Sequence, residues 1–99
     1  MDMLHAKLIL NDFLIKTINK DFDTVYQWQE LDLSNCQLTE LPHEVCHLHN
    51  LKRLYLSHNY LTQLPDELKL LGQLESLYIS HNLFNFVTIS RNIKICILL

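Results

Sequence analysis

The chain has 99 residues, 48% of them hydrophobic, with one Gly and two Pro. That composition suits one small buried core and excludes a disordered linker. Eight Lys and Arg against eleven Asp and Glu give a net charge of -3 without a block of like charge, which offers a nucleic acid no electrostatic footprint. Three cysteines, an odd number, build no disulfide framework and suit a reducing compartment. Asp2, Lys7 and Asp12 break the first apolar runs, so no signal-peptide core is expected, and no apolar run approaches the ~20 residues of a membrane span. These features predict a single domain over residues 1–99 in an intracellular, cytosolic setting.

Taken from the N-terminus, residues 1–27 carry Leu8, Leu10, Ile15, Ile18, Phe22 and Val25. The same spacing returns 23 residues later at Leu31, Leu33, Leu38, Leu41, Val45 and Leu48. Residues 1–27 are therefore expected to form a degenerate N-terminal capping repeat. Phe13 and the lack of a Pro after Ile18 set this segment apart from the later units, and an amphipathic capping helix is the competing reading. Either form covers the open end of a repeat array, Trp28 included.

Residues 28–89 hold the clear repeats. Leu31, Leu33, Leu38, Leu41, Pro42, Val45 and Leu48 overlay on Leu54, Leu56, Leu61, Leu64, Pro65, Leu68 and Leu71, and a third unit supplies Leu74, Leu77, Ile79, Asn82, Phe84 and Val87. So many matched apolar positions in one frame mark an internal repeat. The run Leu51-x-x-Leu54-x-Leu56-x-x-Asn59-x-Leu61-x-x-Leu64-Pro65 resembles the leucine-rich repeat in its 23-residue intracellular form. The resemblance implies an α/β solenoid with a short parallel concave sheet of about four strands and helical turns on the convex side. In each unit the Leu-x-Leu pair is then a short strand with both leucines turned inward. Asn59 and Asn82 would stand at the bend, where a buried amide can satisfy backbone groups that no ladder reaches, with Cys36 in that place in the first clear unit.

On such strands the residues between the inward leucines face outward. They are Glu30, Asp32, Ser34 and Asn35, then Arg53, Tyr55, Ser57 and His58, then Ser76, Tyr78, Ser80 and His81. Neighbouring strands lie ~4.8 Å apart, so Tyr55 is expected beside Tyr78, His58 beside His81, and the serines in a row between them. Glu30 and Asp32 flank this aromatic and imidazole patch. Tyr and Arg are over-represented in binding hot spots, which makes Glu30, Asp32, Arg53, Tyr55, Ser57, His58, Ser76, Tyr78, Ser80 and His81 the candidate contact residues for a protein partner.

Two further motifs carry possible chemistry. His43-Glu44-Val45-Cys46-His47 matches the H-E-x-x-H pattern, in which two histidines bind zinc and the Glu is a general base. The repeat accounts for the same residues as a turn after Pro42: His43 and Glu44 match Asp66 and Glu67, and Val45 matches the inward Leu68. Zinc hydrolysis with His43, Glu44 and His47 is thus a remote alternative, and no metal or cofactor is expected. Cys46 is expected to be exposed on this turn, and His5 and His49 read as surface residues.

Residues 90–99 form a C-terminal cap or tail. Arg91 and Lys94 occupy positions that were core in earlier units, while Ile93, Ile95, Ile97 and Leu99 alternate as a strand would. Cys96-Ile97-Leu98-Leu99 also matches the C-a-a-X prenylation box, whose terminal Leu favours geranylgeranyl, with Arg91 and Lys94 as a basic flank. A prenylated Cys96 would turn the protein into a membrane-tethered adaptor; otherwise no membrane contact is expected.

The expected function is a binding module, not an enzyme, that regulates or inhibits one protein partner through its concave face, plausibly by covering an active site. No small-molecule substrate is expected. Small leucine-rich-repeat proteins rich in Asn, Ile, Lys and His with a eukaryotic-type prenylation box resemble effectors that intracellular bacteria deliver into a host cell; a eukaryotic adaptor is the other setting.

Overall fold

The structure, a computed structural model, describes residues 2–85 and, as backbone, 96–98. Helix α1 spans Met3–Ile18. Its start is fixed by Asp2, whose carboxylate accepts the His5 N–H at 2.7 Å, and its end by Asn19 in the left-handed region at φ 57°. Ala6, Leu10 and Leu14, four residues apart, make the buried face. A second short helix, α2 (Phe22–Val25), is capped by Asp21, whose carboxylate accepts the Thr24 N–H; that bonding to Thr24 holds the Asp21 carboxyl below its ordinary value.

The degenerate first repeat is therefore corrected: its strand positions Leu8 and Leu10 lie in a helix. Phe13 stands where the later units carry the bend residues Cys36, Asn59 and Asn82. Without Gly or Pro to interrupt it, the segment takes the helical period instead. Leu8 and Ile15, which the repeat frame turned inward, are 60% and 45% exposed. The second half of the unit keeps the frame, since Phe22 and Val25 are buried as their counterparts Val45 and Leu48 are.

Strands β1 (Glu30–Asp32), β2 (Arg53–Tyr55) and β3 (Ser76–Tyr78) lie side by side in a parallel sheet. The register is a shift of one repeat, with Leu31 opposite Leu54 and Leu54 opposite Leu77. A further short strand, β4 (Cys96–Leu98), pairs parallel with β3. Across from the strands run two 3-10 turns, His43–His47 and Asp66–Leu70, each entered through a Pro in extended conformation, which bars continuation of the strand ladder. The turns pack on one another, and α1 packs on the first.

Between the sheet and the turns the inward side chains form one cluster. Leu31, Leu33, Leu54, Leu56 and Leu77 are fully buried and Ile79 nearly so, with Val45, Leu48, Leu51, Leu61, Leu68 and Leu71 behind them. α1 and α2 close one end through Leu10, Leu14, Phe22 and Val25, with Trp28 packed against the cluster from the rim. The expectations for Val87, Ile93, Ile95, Arg91, Lys94 and Leu99 fall outside the described residues.

The bend after each strand is held by asparagine. Asn59 is 4% exposed. Its Oδ1 accepts the N–H groups of Cys36 and Leu38, both at 3.0 Å, while its Nδ2 donates to the carbonyls of Leu33 at 3.0 Å and Leu56 at 2.9 Å. Asn82 repeats the pattern one unit on, accepting from Leu61 N–H and donating to Leu56 and Ile79. Each amide thus ties its own bend to the unit before it. Cys36 has α1 and α2 upstream instead of a strand, so no preceding bend requires an amide there. Its thiol donates only to the Ser34 carbonyl at 3.3 Å, and burial raises its pKa. Cys36→Ala is accordingly expected to lower stability by less than about 1 kcal/mol, measured by urea unfolding, the scale of one weak hydrogen bond.

Candidate protein-interaction surface

Strand alternation sets the outward face. Glu30 and Asp32 are exposed on either side of buried Leu31, exposed Arg53 and half-buried Tyr55 lie on either side of Leu54, and half-buried Ser76 and Tyr78 on either side of Leu77. Because the register is one repeat, like positions stand abreast. The Tyr55 and Tyr78 rings stack with centroids 4.5 Å apart and planes 6° from parallel. His58 and His81 stack at 4.2 Å and 11°. Between these pairs the Ser80 hydroxyl donates to Ser57 Oγ at 3.1 Å. Arg53 donates from Nη1 to Glu30 Oε1 at 2.9 Å, an exposed ion pair that contributes little to stability but fixes both side chains.

The structure therefore brings Glu30, Asp32, Arg53, Tyr55, Ser57, His58, Ser76, Tyr78, Ser80 and His81 onto one face. Partial desolvation, the Glu30 carboxylate and the Tyr78 phenol push the Tyr55 hydroxyl up, so the phenol stays neutral and available to donate. The Arg53 guanidinium is pushed up by its hydrogen bond and charge contact with Glu30.

One feature of this face was not readable from periodicity. Asn35, His58 and His81, one repeat apart, all have positive φ, at 56°, 59° and 56°. In that region a β-branched side chain is strained, and Asn, His and Gly are the tolerated residues. The two imidazoles are therefore held at a tight bend, which fixes their direction as well as their spacing. Residues at the N-terminal rim were also missed: Ile18, Lys20 and Trp28 join Glu30, Asp32 and Tyr55 around one notch. Trp28 has the same strand parity as Glu30 and Asp32, which is the signal that could have found it.

The H-E-x-x-H segment lies on the other side of the molecule, in the first 3-10 turn. At three residues per turn, positions i and i+4 diverge by about 120°, whereas an α-helix would bring them onto one face. His43 Nε2 meets Glu44 Oε2 at 3.0 Å, and His47 turns edge-on to His49 at 6.1 Å, so the two histidines address different neighbours. Glu44 is buried at 4% and spent on His43. The expectation that Cys46 is exposed is corrected: it is 7% exposed, because a 3-10 turn packed against α1 and the second turn has little outward surface, and burial raises its thiol pKa. His5 and His49 are exposed. For Cys96, the backbone lies in β4 opposite Ser76, while its side chain and Leu99 lie outside the described residues, as does the C-a-a-X reading that depends on them.

A family model described as Leucine rich repeat matches residues 26–84, and the chain belongs to the leucine-rich-repeat family. No curated protein matches it. Repeats of this family typically serve as protein-interaction modules and bind through extended surface instead of a catalytic pocket. The class the fold and surface define is thus a general protein-interaction module.

Proposed function

We propose that this protein regulates or inhibits a single protein partner, which it grips on the concave, strand side of a short solenoid. The observation that carries the reading is the pair of stacked rows, Tyr55 on Tyr78 and His58 on His81. Stacked rings have already lost their rotamer freedom in the unbound protein, so a partner gains contact with two aromatic faces without paying to order them. Tyr combines large area with a polar tip, the profile of interface anchors. A surface a few strands wide suits occlusion of a cleft on the partner, and inhibition by covering an active site is the mechanism we favour.

The test uses immobilised protein to capture partners from cells in which the chain is expressed, with quantitative mass spectrometry of what is retained. The expected result is one protein held by the native chain and by Leu70→Ala, a change at an exposed leucine on the second 3-10 turn, and lost from Tyr55→Ala/Tyr78→Ala. Retention by the tyrosine variant with loss from the Leu70 variant would place the interface on the opposite side. If the captured protein is an enzyme, stoichiometric addition of the native chain should suppress its turnover.

A further inference from the structure

The N-terminal rim of the strand face opens into a notch of about 550 Å³ lined by Ile18, Lys20, Trp28, Glu30, Asp32 and Tyr55. We infer that this notch receives a guanidinium side chain, an arginine that the partner presents to the edge of the sheet. The inference rests on the reading that this face meets a protein, and adds what chemistry the partner must bring.

The lining is of two kinds. Trp28, packed against the hydrophobic cluster, and Tyr55, held by its stack on Tyr78, are aromatic surfaces with settled orientation. Trp28 also borders the adjoining hollow with Gln29, Glu30 and Arg53. The carboxylates are Glu30 and Asp32, two residues apart on β1 and both exposed by strand alternation. Glu30 already accepts a guanidinium N–H from Arg53 through Oε1, which shows the donor geometry this carboxylate takes. Asp32 accepts the Ser34 N–H through Oδ1, and its second oxygen is the acceptor we assign to the incoming group. A planar, weakly hydrated cation with several in-plane donors can lie on an aromatic face and bond carboxylates at its edge at the same time; a strongly hydrated ammonium does this less well.

Lys20 is the one cation on the wall of this notch. It sits just after the end of α1 and lines the same notch as the two carboxylates. A positive charge on the notch wall repels an arriving guanidinium, so removing it should favour binding.

Trp28 is the only tryptophan in the chain, which makes its fluorescence a reporter on the notch itself. N-acetyl-arginine amide is titrated into the full chain at low ionic strength, in parallel with the citrulline and lysine counterparts. The expected result is a saturable change with the arginine compound alone. Asp32→Asn should weaken it about tenfold, the scale of one charge-assisted contact, and Lys20→Gln should tighten it a few-fold. An equal response to citrulline or to lysine, or an affinity indifferent to both substitutions, overturns the assignment. Both substitutions are on exposed residues, and an unchanged circular dichroism spectrum establishes that they fold. This titration probes the notch without the partner, so its failure is distinct from failure of the wider reading, which the Tyr55/Tyr78 capture experiment decides by itself.

Discussion

Asn59→Ala is expected to destabilise the protein by about 3 kcal/mol, more than the loss of any single surface contact, because one side chain satisfies four backbone groups at a buried bend. Alanine leaves the Cys36 and Leu38 N–H groups and the Leu33 carbonyl to find water that the packed bend does not easily admit, while the Leu56 carbonyl keeps only the Asn82 amide at 2.8 Å. A domain of this size loses about 4–8 °C of melting temperature per kcal/mol, so the midpoint should fall by roughly 15 °C. Asn59→Asp should not rescue it: the carboxylate keeps an acceptor for the two N–H groups but turns a second oxygen on two carbonyls. Asn82→Ala should cost less, since Asn82 is only partly buried. Thermal unfolding followed by circular dichroism measures all three. A midpoint for Asn59→Ala within about 3 °C of the native chain would contradict the amide-bridge account, being under 1 kcal/mol on the same scale.

The second large effect is on binding. Tyr55→Ala/Tyr78→Ala should weaken the partner complex about a hundred- to a thousandfold if the stacked pair is the anchor, the range of two coupled hot-spot residues. The same variant should remain folded, because both rings are only partly buried and the leucines between them carry the core. Titration calorimetry against the captured partner separates the two effects, with unfolding of the free variant as its control. His58→Gly offers a complementary case. Glycine accepts the positive φ at that bend more easily than histidine, so the free protein should be at least as stable while the imidazole stack is lost.

These expectations divide along the line between what repetition specifies and what it does not. The 23-residue frame specified which leucines meet, because parallel strands in one-repeat register place like residues abreast; Leu31, Leu54 and Leu77 stand in adjacent register, as do the tyrosines on the outer face. It failed at residues 3–18, where apolar spacing satisfied two periods at once and, with no Gly or Pro to interrupt it, the segment took the helical one. It also misjudged Cys46, which lies on a turn packed against both α1 and the second turn, so that the non-repeating cap adds to what the repeat itself covers. The notch was hidden because the cap's helical course, which the repeat frame did not give, brings Ile18 and Lys20 to line it with Trp28 and Tyr55. The left-handed bend at Asn35, His58 and His81 is written in residue type, in the acceptance of Asn and His at one repeated position, and not in hydrophobic period.

Amide hydrogen exchange of the chain, free and bound to its captured partner, tests the central claim most directly. Binding through the strand face predicts slowed exchange across residues 28–35, 53–58 and 76–81, with the two 3-10 turns at 43–47 and 66–70 unchanged. Protection confined to those turns, with the strand residues exchanging as in the free protein, would contradict it.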